Sequence, residues 1–390
     1  MNENILVINC GSSSIKFSLF SYIDNELILK QEGKLDNLGA NTVFKNQSSE
    51  HIQFIEVPEL SNHHDALSFL LNWLEEKTEH HNSLIIGHRV VHGGNKFRAP
   101  VLITDNIITE LEKLISLAPL HQAHNLTAIK FFRNTDKNIK QVACFDTAFH
   151  AQHTKPVNQY AIPDEYYDAG IHRYGFHGLS YEYIVEQLSE RDPILLKGKI
   201  IAAHLGNGAS LCAINNGISI DSSMGFSALD GLMMGTRCGS IDPGVILYLS
   251  GERQMDNQQI TDLLYKKSGL LGVSNISYNM KDLINSQSEK AIKAINLYIY
   301  RITKEIGALV SILKGLDGLI FTGGIGENEA VIREKVCAEL NWLDLEINEQ
   351  LNQKHNEIIS TLASKIKVYV LNTNEELMIA KHSIQLVESR

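Results

Sequence analysis

Residues 5–20 read ILVINCGSSSIKFSLF, and residues 200–214 read IIAAHLGNGASLCAI. Each segment is an apolar run, a short turn built from Gly, Ser and Asn, and a second apolar run, which is typical of two strands joined by a tight turn. Turns of this composition can direct several backbone N–H groups into one concavity, and such concavities bind phosphate oxygens. The two copies therefore predict two related halves that hold a polyphosphate.

A third Gly-rich turn, TGGIGEN over residues 322–328, follows a short apolar run. It lies between a predicted strand and a helix predicted to begin at Glu329. Its glycines would let the backbone approach a flat ligand or a phosphate closely. Neither hairpin turn has the GxxxxGK[ST] pattern, which disfavours the P-loop class.

The composition is that of a folded soluble protein. The chain has 390 residues, 44% hydrophobic and 21% charged, which is enough for two domains. Its net charge of −10 argues against a broad nucleic-acid surface. No apolar run reaches the roughly 18 to 20 residues that span a bilayer. Five scattered cysteines and an N-terminus that enters a strand without a leader predict a reducing, cytoplasmic setting.

Two arginines lie in loops with Gly neighbours, Arg89 in GHRVVHGG and Arg237 in GTRCGS. The planar fork of an arginine suits phosphate and carboxylate oxygens, although a salt bridge is its commoner fate. His177, in RYGFHGL, is a third candidate, and a buried structural histidine is the alternative. Asp146 closes a predicted strand, so its carboxylate is suited to Mg²⁺ near phosphates.

Three histidine pairs have spacings that could suit metal ligands: His88 and His92, His121 and His124, and His150 and His153. Neither a cysteine pair nor an HExxH pattern accompanies them, so zinc is not expected.

Taken together, the motifs resemble the acetokinase family, in the superfamily that includes sugar kinases, heat-shock chaperones and actin. The resemblance covers essentially the whole chain. Its most specific segments are NCGSSSIKF, GHRVVHGG, APLHQAHN, CFDTAFH, RYGFHGLSY, HLGNGAS, SMGFSALDGLMMGTRCGSIDPG, FTGGIGEN and TNEELMIA.

The resemblance implies an α/β, two-domain, duplicated actin/hexokinase-like fold with an active-site cleft between the domains. Residues 1–150 would form the N-terminal actin-like domain and residues 151–375 the C-terminal nucleotide-binding domain. The helix over 376–390 is a candidate to pack onto the first domain. The implied assembly is a homodimer, with no nucleic-acid or membrane partner.

The implied activity is reversible transfer of a phosphoryl group from ATP to acetate, with Mg²⁺ (or Mn²⁺ in its place) as cofactor. Acetate is already ionised at pH 7, so it needs no general base. Asp146 would then orient an arginine or the water shell of the metal. Arg89 would hold the carboxylate, while Arg237 and His177 would neutralise the transferring group.

The resemblance also assigns individual residues. The catalytic positions are Arg89, Asp146, His177 and Arg237. The acyl pocket is lined by Arg89, Val91, Leu120, Phe176 and Ala228. The nucleotide and its phosphates fall at Asn9, Ser12, Ser14, Lys16, His204, Leu205, Gly206, Asn207, Gly208, Asn279, Met280, Lys281, Gly324, Ile325, Gly326, Glu327 and Asn328. The metal positions are Asn9 and one glutamate of TNEE, where we favour Glu375 and keep Glu376 open; either could instead cap the helix that follows.

Two departures from the family pattern bear on specificity. Ala228 stands where the family commonly has proline, which would widen the acyl pocket and favour propionate. Asn279-Met280-Lys281 stands where the family tends to have Asp-x-Arg, which affects the preference for the nucleotide base. Two alternatives stay open: a propionate or other short-chain acyl kinase, and a chaperone- or actin-like ATPase that uses nucleotide as a switch.

Overall fold

The structure, a computed structural model, describes residues 3–39, 41–47, 52–75, 84–119 and 121–389. The chain divides into two compact units. Unit 1 is Met1–Ala148 together with Asn374–Arg390, and unit 2 is Phe149–Thr373.

Each unit contains one sheet. The strands of unit 1 are β1 (Glu3–Cys10), β2 (Ser14–Ile23), β3 (Glu26–Asp36), β4 (Val43–Gln47), β5 (Ile52–Ile55), β6 (Leu84–Val90), β7 (Val101–Leu102) and β8 (Lys140–Phe145). The strands of unit 2 are β9 (Lys199–Leu205), β10 (Ala209–Asn215), β11 (Ile218–Ser222), β12 (Gly318–Thr322) and β13 (Lys367–Val370).

The helices of unit 1 are α1 (His63–Glu75), α2 (Asp105–Glu112), α3 (Gln122–Thr135) and the C-terminal α16 (Glu375–Glu388). Those of unit 2 are α4 (Lys155–Asn158), α5 (Asp164–Asp168), α6 (Gly178–Arg191), α7 (Pro193–Leu196), α8 (Pro243–Gly251), α9 (Asn257–Lys266), α10 (Gly269–Ser274), α11 (Met280–Ile284), α12 (Glu289–Leu313), α13 (Gly323–Asn328), α14 (Ala330–Glu339) and α15 (Glu349–Gln353).

The two sheets repeat one topology. In unit 1 the strand order is β5-β4-β3-β2-β1-β6-β8-β7, and in unit 2 it is β11-β10-β9-β12-β13. The strands β1, β6 and β8 are parallel, as are β9, β12 and β13. An antiparallel hairpin adjoins each parallel set, with β2 beside β1 and β10 beside β9. This repeat confirms the duplicated α/β fold and both predicted hairpins.

The parallel strands bring candidate residues to one edge of each sheet, because residues at or just after their carboxyl ends share that edge. Asn9 and Arg89 lie near the ends of β1 and β6, and Asp146 directly follows β8. In unit 2, His204 lies near the end of β9 and Gly323 directly follows β12.

The helix α16 packs against β1, β6 and β8. Close approach is possible because Gly87 in β6 has no side chain. A Cβ atom there would lie 2.5 Å from Ile379 Cγ2 and 2.6 Å from Ser383 Oγ. This packing sets the first turn of α16, which begins at Glu375, beside the end of β6.

Residues 223–242, between β11 and α8, contain neither a helix nor a strand. The third Gly-rich turn differs from the expectation: it is itself helical from Gly323 to Asn328, and α14 follows from Ala330. Among the described residues, no helix combines the length and apolar character needed to cross a bilayer.

Candidate functional site

The first group of candidate residues surrounds Arg89. Its Nε and Nη2 atoms donate to the two carboxylate oxygens of Asp146, each at 2.9 Å. Its Nη1 atom lies 2.7 Å from Glu375 Oε2. Arg89 on β6 is paired with Cys144 on β8, so Asp146, two residues further on, comes within reach. We call Arg89, Asp146 and Glu375 the Arg89 cluster.

Burial controls the charges of the Arg89 cluster. Burial alone would lower the pKa of Arg89, but the carboxylates of Asp146 and Glu375 outweigh it and raise that pKa. Burial raises the pKa of Glu375 to about 7, and Asp146 and Glu376 add to the rise while Arg89 opposes it. The cluster therefore carries a fixed positive charge next to a carboxylate that is only partly ionised near neutral pH.

Hydrogen bonds within the turn and from neighbouring helices hold the turn between β1 and β2. The Gly11 N–H donates to Ser14 O at 2.8 Å, and His63 Nε2 lies 2.7 Å from Gly11 O. Asn125 Nδ2 donates to Cys10 O at 3.0 Å, and its Oδ1 accepts from the Val91 N–H at 3.0 Å. Asn125 thus ties the first hairpin turn to the end of β6.

The other candidates on this hairpin face outward to different degrees. Ser12 and Lys16 are exposed, and Ser14 and Asn9 are half-buried. Asn9 and Lys16 are direct partners across the two strands. Leu120, assigned to the acyl pocket, lies outside the described residues.

In unit 2, two candidate side chains converge on the second hairpin turn, residues 206–208. A Cβ atom added at Gly208 would lie 3.3 Å from His177 Nε2 and 3.8 Å from Arg237 Nη1. The same turn approaches the third one, since a Cβ atom at Gly206 would lie 3.8 Å from Gly324 N. Side chains larger than Gly at 208 would crowd both candidates.

Two imidazole rings stand side by side at this turn. The rings of His177 and His204 are stacked, with centroids 4.3 Å apart and planes inclined by 20°. His177 Nδ1 lies 2.9 Å from Ser210 Oγ, and His204 Nδ1 lies 2.8 Å from Ser180 Oγ. Thr373 Oγ1 donates to Ser180 Oγ at 2.8 Å, so a hydroxyl chain orients His204.

The irregular segment over residues 223–242 carries Arg237. Its Nη1 atom donates to the backbone carbonyl of Ala228 at 2.9 Å. The Gly235 N–H donates to Asn207 O at 3.1 Å, and a Cβ atom at Gly235 would lie 2.0 Å from Asn207 Oδ1. The absence of a side chain at Gly235 therefore lets this segment close onto the second hairpin turn.

The carboxylate of Glu327 stabilises the third Gly-rich turn, to which this residue belongs. Glu327 Oε1 accepts from the Gly323 N–H at 2.8 Å and from the Thr373 N–H at 3.1 Å. The side chain of Asn328 donates to Gly324 O at 2.9 Å. A Cβ atom at Gly324 would meet nothing within 4 Å, so the face of this turn at Gly324 is open. The sequence predicts a flat ligand or a phosphate for this turn. Because Glu327 already accepts the hydrogen bond of the N–H group at the start of the turn, the arrangement favours the flat ligand.

The remaining candidate nucleotide-binding residues differ in how accessible their side chains are. Asn279 is exposed, but its Oδ1 accepts from the Lys281 N–H at 3.0 Å and caps α11. The side chains of Met280, Leu205 and Ile325 are buried, so these residues would reach a ligand through their backbone. Lys281 is exposed, Ala228 is half-buried and Phe176 is buried.

Sequence reasoning missed the residues that hold these candidates in place. They are His63, Asn125, Ser180, Ser210, Arg333 and Thr373. Asn125, Ser180, Ser210 and Thr373 lie in segments that carry the family resemblance, but the resemblance assigned them no role, because their partners are distant in the sequence.

Comparisons with known proteins agree with the fold. The model of the acetokinase family matches residues 4–381. An acetate kinase of Methylocella silvestris is 42% identical over 406 aligned positions, which cover 100% of this chain and 99% of that relative. A propionate kinase from Francisella tularensis has a TM-score of 0.92 at 37% identity, covering 98% of this chain and 100% of its own.

An acetate kinase from Porphyromonas gingivalis has a TM-score of 0.88 at 37% identity, covering 99% of this chain and 100% of its own. The family match and these likenesses extend over both units. The chain therefore belongs to the acetokinase family.

Proposed function

We infer that this chain catalyses the reversible transfer of the terminal phosphoryl group of ATP to acetate, giving acetyl phosphate and ADP. The observation that carries the inference is the Arg89 guanidinium, held by Asp146 and Glu375. An arginine has five N–H donors, and three of them are used in these contacts, which leaves two. Two donors on a fixed plane suit the two oxygens of a small carboxylate.

Asp146 acts on Arg89 rather than on the substrate. Both of its oxygens accept hydrogen bonds from the guanidinium, which fixes the plane of the fork. Acetate, with a pKa near those of other carboxyl groups, is ionised at pH 7 and attacks without losing a proton. A base is therefore not required, and the chemistry needs positioning and charge neutralisation.

His177 and Arg237 supply charge to the transferring phosphoryl group. Both approach the backbone of the second hairpin turn at Gly208, whose N–H groups suit phosphate oxygens. His177 is oriented through Ser210, and Arg237 through the carbonyl of Ala228. Groups fixed before the reaction stabilise the developing charge without reorganising during it.

We propose Mg²⁺ as the metal, with Mn²⁺ able to replace it. The Arg89 cluster fits a hard cation, because burial, together with the carboxylates of Asp146 and Glu376, raises the pKa of Glu375 against the opposing charges of Arg89 and Lys16. A divalent cation would offset the cost of holding this carboxylate ionised in the interior. Glu375 and Asn9 would hold the ion, which when bound would neutralise phosphate charge.

Among the described residues, no group of three or more His, Cys, Asp or Glu could form a cage for a metal. Mg²⁺ in nucleotide sites commonly takes one or two protein carboxylates and completes its shell with phosphates and water. Two protein ligands are therefore enough for the proposed ion.

Propionate is the second candidate acceptor. Ala228 is half-buried and lacks the proline ring that the family commonly has at this position. One additional methylene is worth only about 1–3 kcal/mol in a hydrophobic pocket, so a small widening changes selectivity. The likeness to the Francisella propionate kinase is compatible with this reading.

We also propose a homodimer in a reducing, cytoplasmic compartment. The helix α8 supports the dimer, because it is rich in apolar residues and none of its residues is buried; Leu247 and Tyr248 are exposed. An apolar helix in water favours a partner surface, and we take that partner to be a second copy. Sedimentation equilibrium tests the assembly.

The five free cysteines support the proposal of a reducing, cytoplasmic compartment.

An acyl-hydroxamate assay with ATP and Mg²⁺ tests the reaction, using acetate, propionate and butyrate in parallel. We expect product with acetate, and a measurable rate with propionate. ATP hydrolysis that is indifferent to acetate would contradict the proposal and would favour the ATPase switch. Product with propionate alone would replace acetate by propionate as the acceptor.

A further inference from the structure

The ring of His150 packs against the segment that carries Phe176 and His177. Its Nε2 atom lies 2.9 Å from the backbone oxygen of Phe176. A Cβ atom at Gly175, whose φ is +76°, would lie 2.6 Å from His150 Cδ2. Only glycine accommodates both the left-handed backbone and the ring at this distance. His150 is 1% exposed, so this support belongs to the interior of unit 2.

The proton positions around His150 follow from its partners. A carbonyl oxygen only accepts, so Nε2 must carry the hydrogen that Phe176 O receives. In the neutral ring Nδ1 then accepts, and the Ser219 hydroxyl, at 2.8 Å, donates to it. His153 Nε2 and Cys212 Sγ also lie within hydrogen-bond distance of the Ser219 oxygen, at 2.7 Å and 3.3 Å.

The Phe176 carbonyl fixes the single proton of the neutral His150 ring on Nε2. A second proton, on Nδ1, would require the Ser219 hydroxyl to turn away from the ring and donate to another acceptor. Burial lowers the pKa of His150 to about 4, consistent with a neutral ring near pH 7. The neutral ring therefore donates to Phe176 from Nε2 near pH 7.

His150 also contacts the residues that orient His177. Its ring meets the Tyr181 ring edge to face, with centroids 5.7 Å apart. The Tyr181 hydroxyl and His177 Nδ1 both bond to Ser210 Oγ. His177 itself has a left-handed backbone, with φ of 56°, which the residues before it must maintain. His150 thus supports the segment from the Phe176 side and from the Tyr181 side.

We propose that His150 is a positioning residue that sets acyl selectivity by fixing the Phe176 carbonyl, and with it the direction of the Phe176 side chain and of His177. The proposal rests on the proposed function, because Phe176 is assigned to the acyl pocket and His177 to the phosphoryl group. His150 itself touches neither substrate.

Two variants separate the hydrogen bond from the packing. His150→Gln keeps an N–H donor near the position of Nε2, whereas His150→Leu fills similar volume without a donor. In the Leu variant we expect kcat/KM for acetate to fall by about tenfold, the loss of one buried hydrogen bond. The ratio of kcat/KM for acetate to that for propionate should change as well, with the Kd of ADP unaltered. His150→Gln should restore most of both quantities.

The proposal would be overturned if His150→Leu had the wild-type kcat/KM for acetate and the wild-type acetate-to-propionate ratio. It would also be overturned if His150→Gln restored neither quantity above the value in the Leu variant. Histidine-selective ¹⁵N NMR of the wild-type chain gives a test that does not depend on activity, with His150→Gln to assign the signal. The expected result is a neutral ring protonated at Nε2, and protonation at Nδ1 would refute the network. If the wild-type chain forms no acyl phosphate, the proposed function fails while the NMR result still decides the tautomer.

Discussion

The two candidate arginines are held in different ways. Arg89 is matched by two carboxylates, and its own charge is therefore largely compensated inside unit 1. Arg237 donates to the uncharged carbonyl of Ala228 and contacts Met234 Sδ at 3.6 Å. We expect Arg89 to orient the acceptor and Arg237 to supply charge, because the Arg237 guanidinium approaches the second hairpin turn at Gly208.

Replacing Arg237 tests that role. We expect Arg237→Ala to lower kcat by at least about 100-fold, which corresponds to about 2.7 kcal/mol of transition-state stabilisation. Nucleotide affinity should change little, because the charge acts mainly on the transferring group. Steady-state kinetics and titration with ADP measure the two effects. Arg191→Ala, which removes a surface arginine paired with Glu357, is the control. Turnover like that of wild type in Arg237→Ala would remove Arg237 from the mechanism.

Ala228 tests the shape of the acyl pocket. Ala228→Pro should lower kcat/KM for propionate relative to acetate, because the ring refills space that a longer acyl chain would use. The expected change is about tenfold or less, the value of one methylene or two. Competition between the two acids in the hydroxamate assay measures the ratio directly. If the ratio does not change, this side chain does not bound the pocket.

At the scale of secondary-structure elements, the short helix α13 depends on a buried arginine in α14. Arg333 is 0% exposed, and four of its N–H groups donate to uncharged acceptors: the Asn352 side chain and the backbone oxygens of Gly326, Glu327 and Asn352. Its Nη1 atom donates to Gly326 O at 2.9 Å and to Glu327 O at 2.8 Å. The cation thereby satisfies carbonyls at the end of α13, where helix carbonyls lack partners.

Arg333→Lys tests this element. Lysine keeps the charge but offers three donors for these four acceptors, so at least one acceptor loses its partner. Such a loss costs about 1–3 kcal/mol, so we expect the free energy of unfolding to fall by at least about 1 kcal/mol. The Kd of ADP should rise by about tenfold, measured by calorimetry on the folded protein. Arg191→Lys is the matched control, and unchanged ADP binding would separate Arg333 from the nucleotide turn.

At the scale of the whole molecule, buried histidines link stability to pH. Burial lowers the pKa of His88 and of His150 to about 4. Burial, His150 and Arg173 lower the pKa of His153 to about 3. The unfolded chain binds protons at these residues below about pH 6.5, whereas the folded chain does not. Their contribution to stability is therefore lost as the pH falls from about 6.5 toward these pKa values. The pKa of Glu375 is raised to about 7, so the folded chain binds its proton at a higher pH than the unfolded chain does. The contribution of Glu375 to stability therefore increases as the pH falls, opposite to that of the histidines.

His153→Gln isolates one of these groups, because glutamine keeps a donor toward Ser219 but does not titrate. We expect the slope of unfolding free energy against pH, between about pH 6 and 4, to decrease by about one proton. Chemical denaturation at several pH values measures the slope. His355→Gln, at an exposed position of unit 2, is the comparison variant. An identical slope in His153→Gln and wild type would mean that His153 is protonated in the folded chain.

Local sequence determined the strand–turn–strand hairpins and the family, because these depend on apolar runs, glycines and motif order within short stretches. It also marked Arg89, His177 and Arg237 as candidates. Only the tertiary structure decided what holds them. Asp146 lies 57 positions from Arg89, and Glu375 reaches it because α16 packs closely over Gly87. No local pattern assigned a role to the partners Ser210, Asn125 and Arg333, since a hydrogen bond between distant segments depends on how the chain folds rather than on the residues beside it.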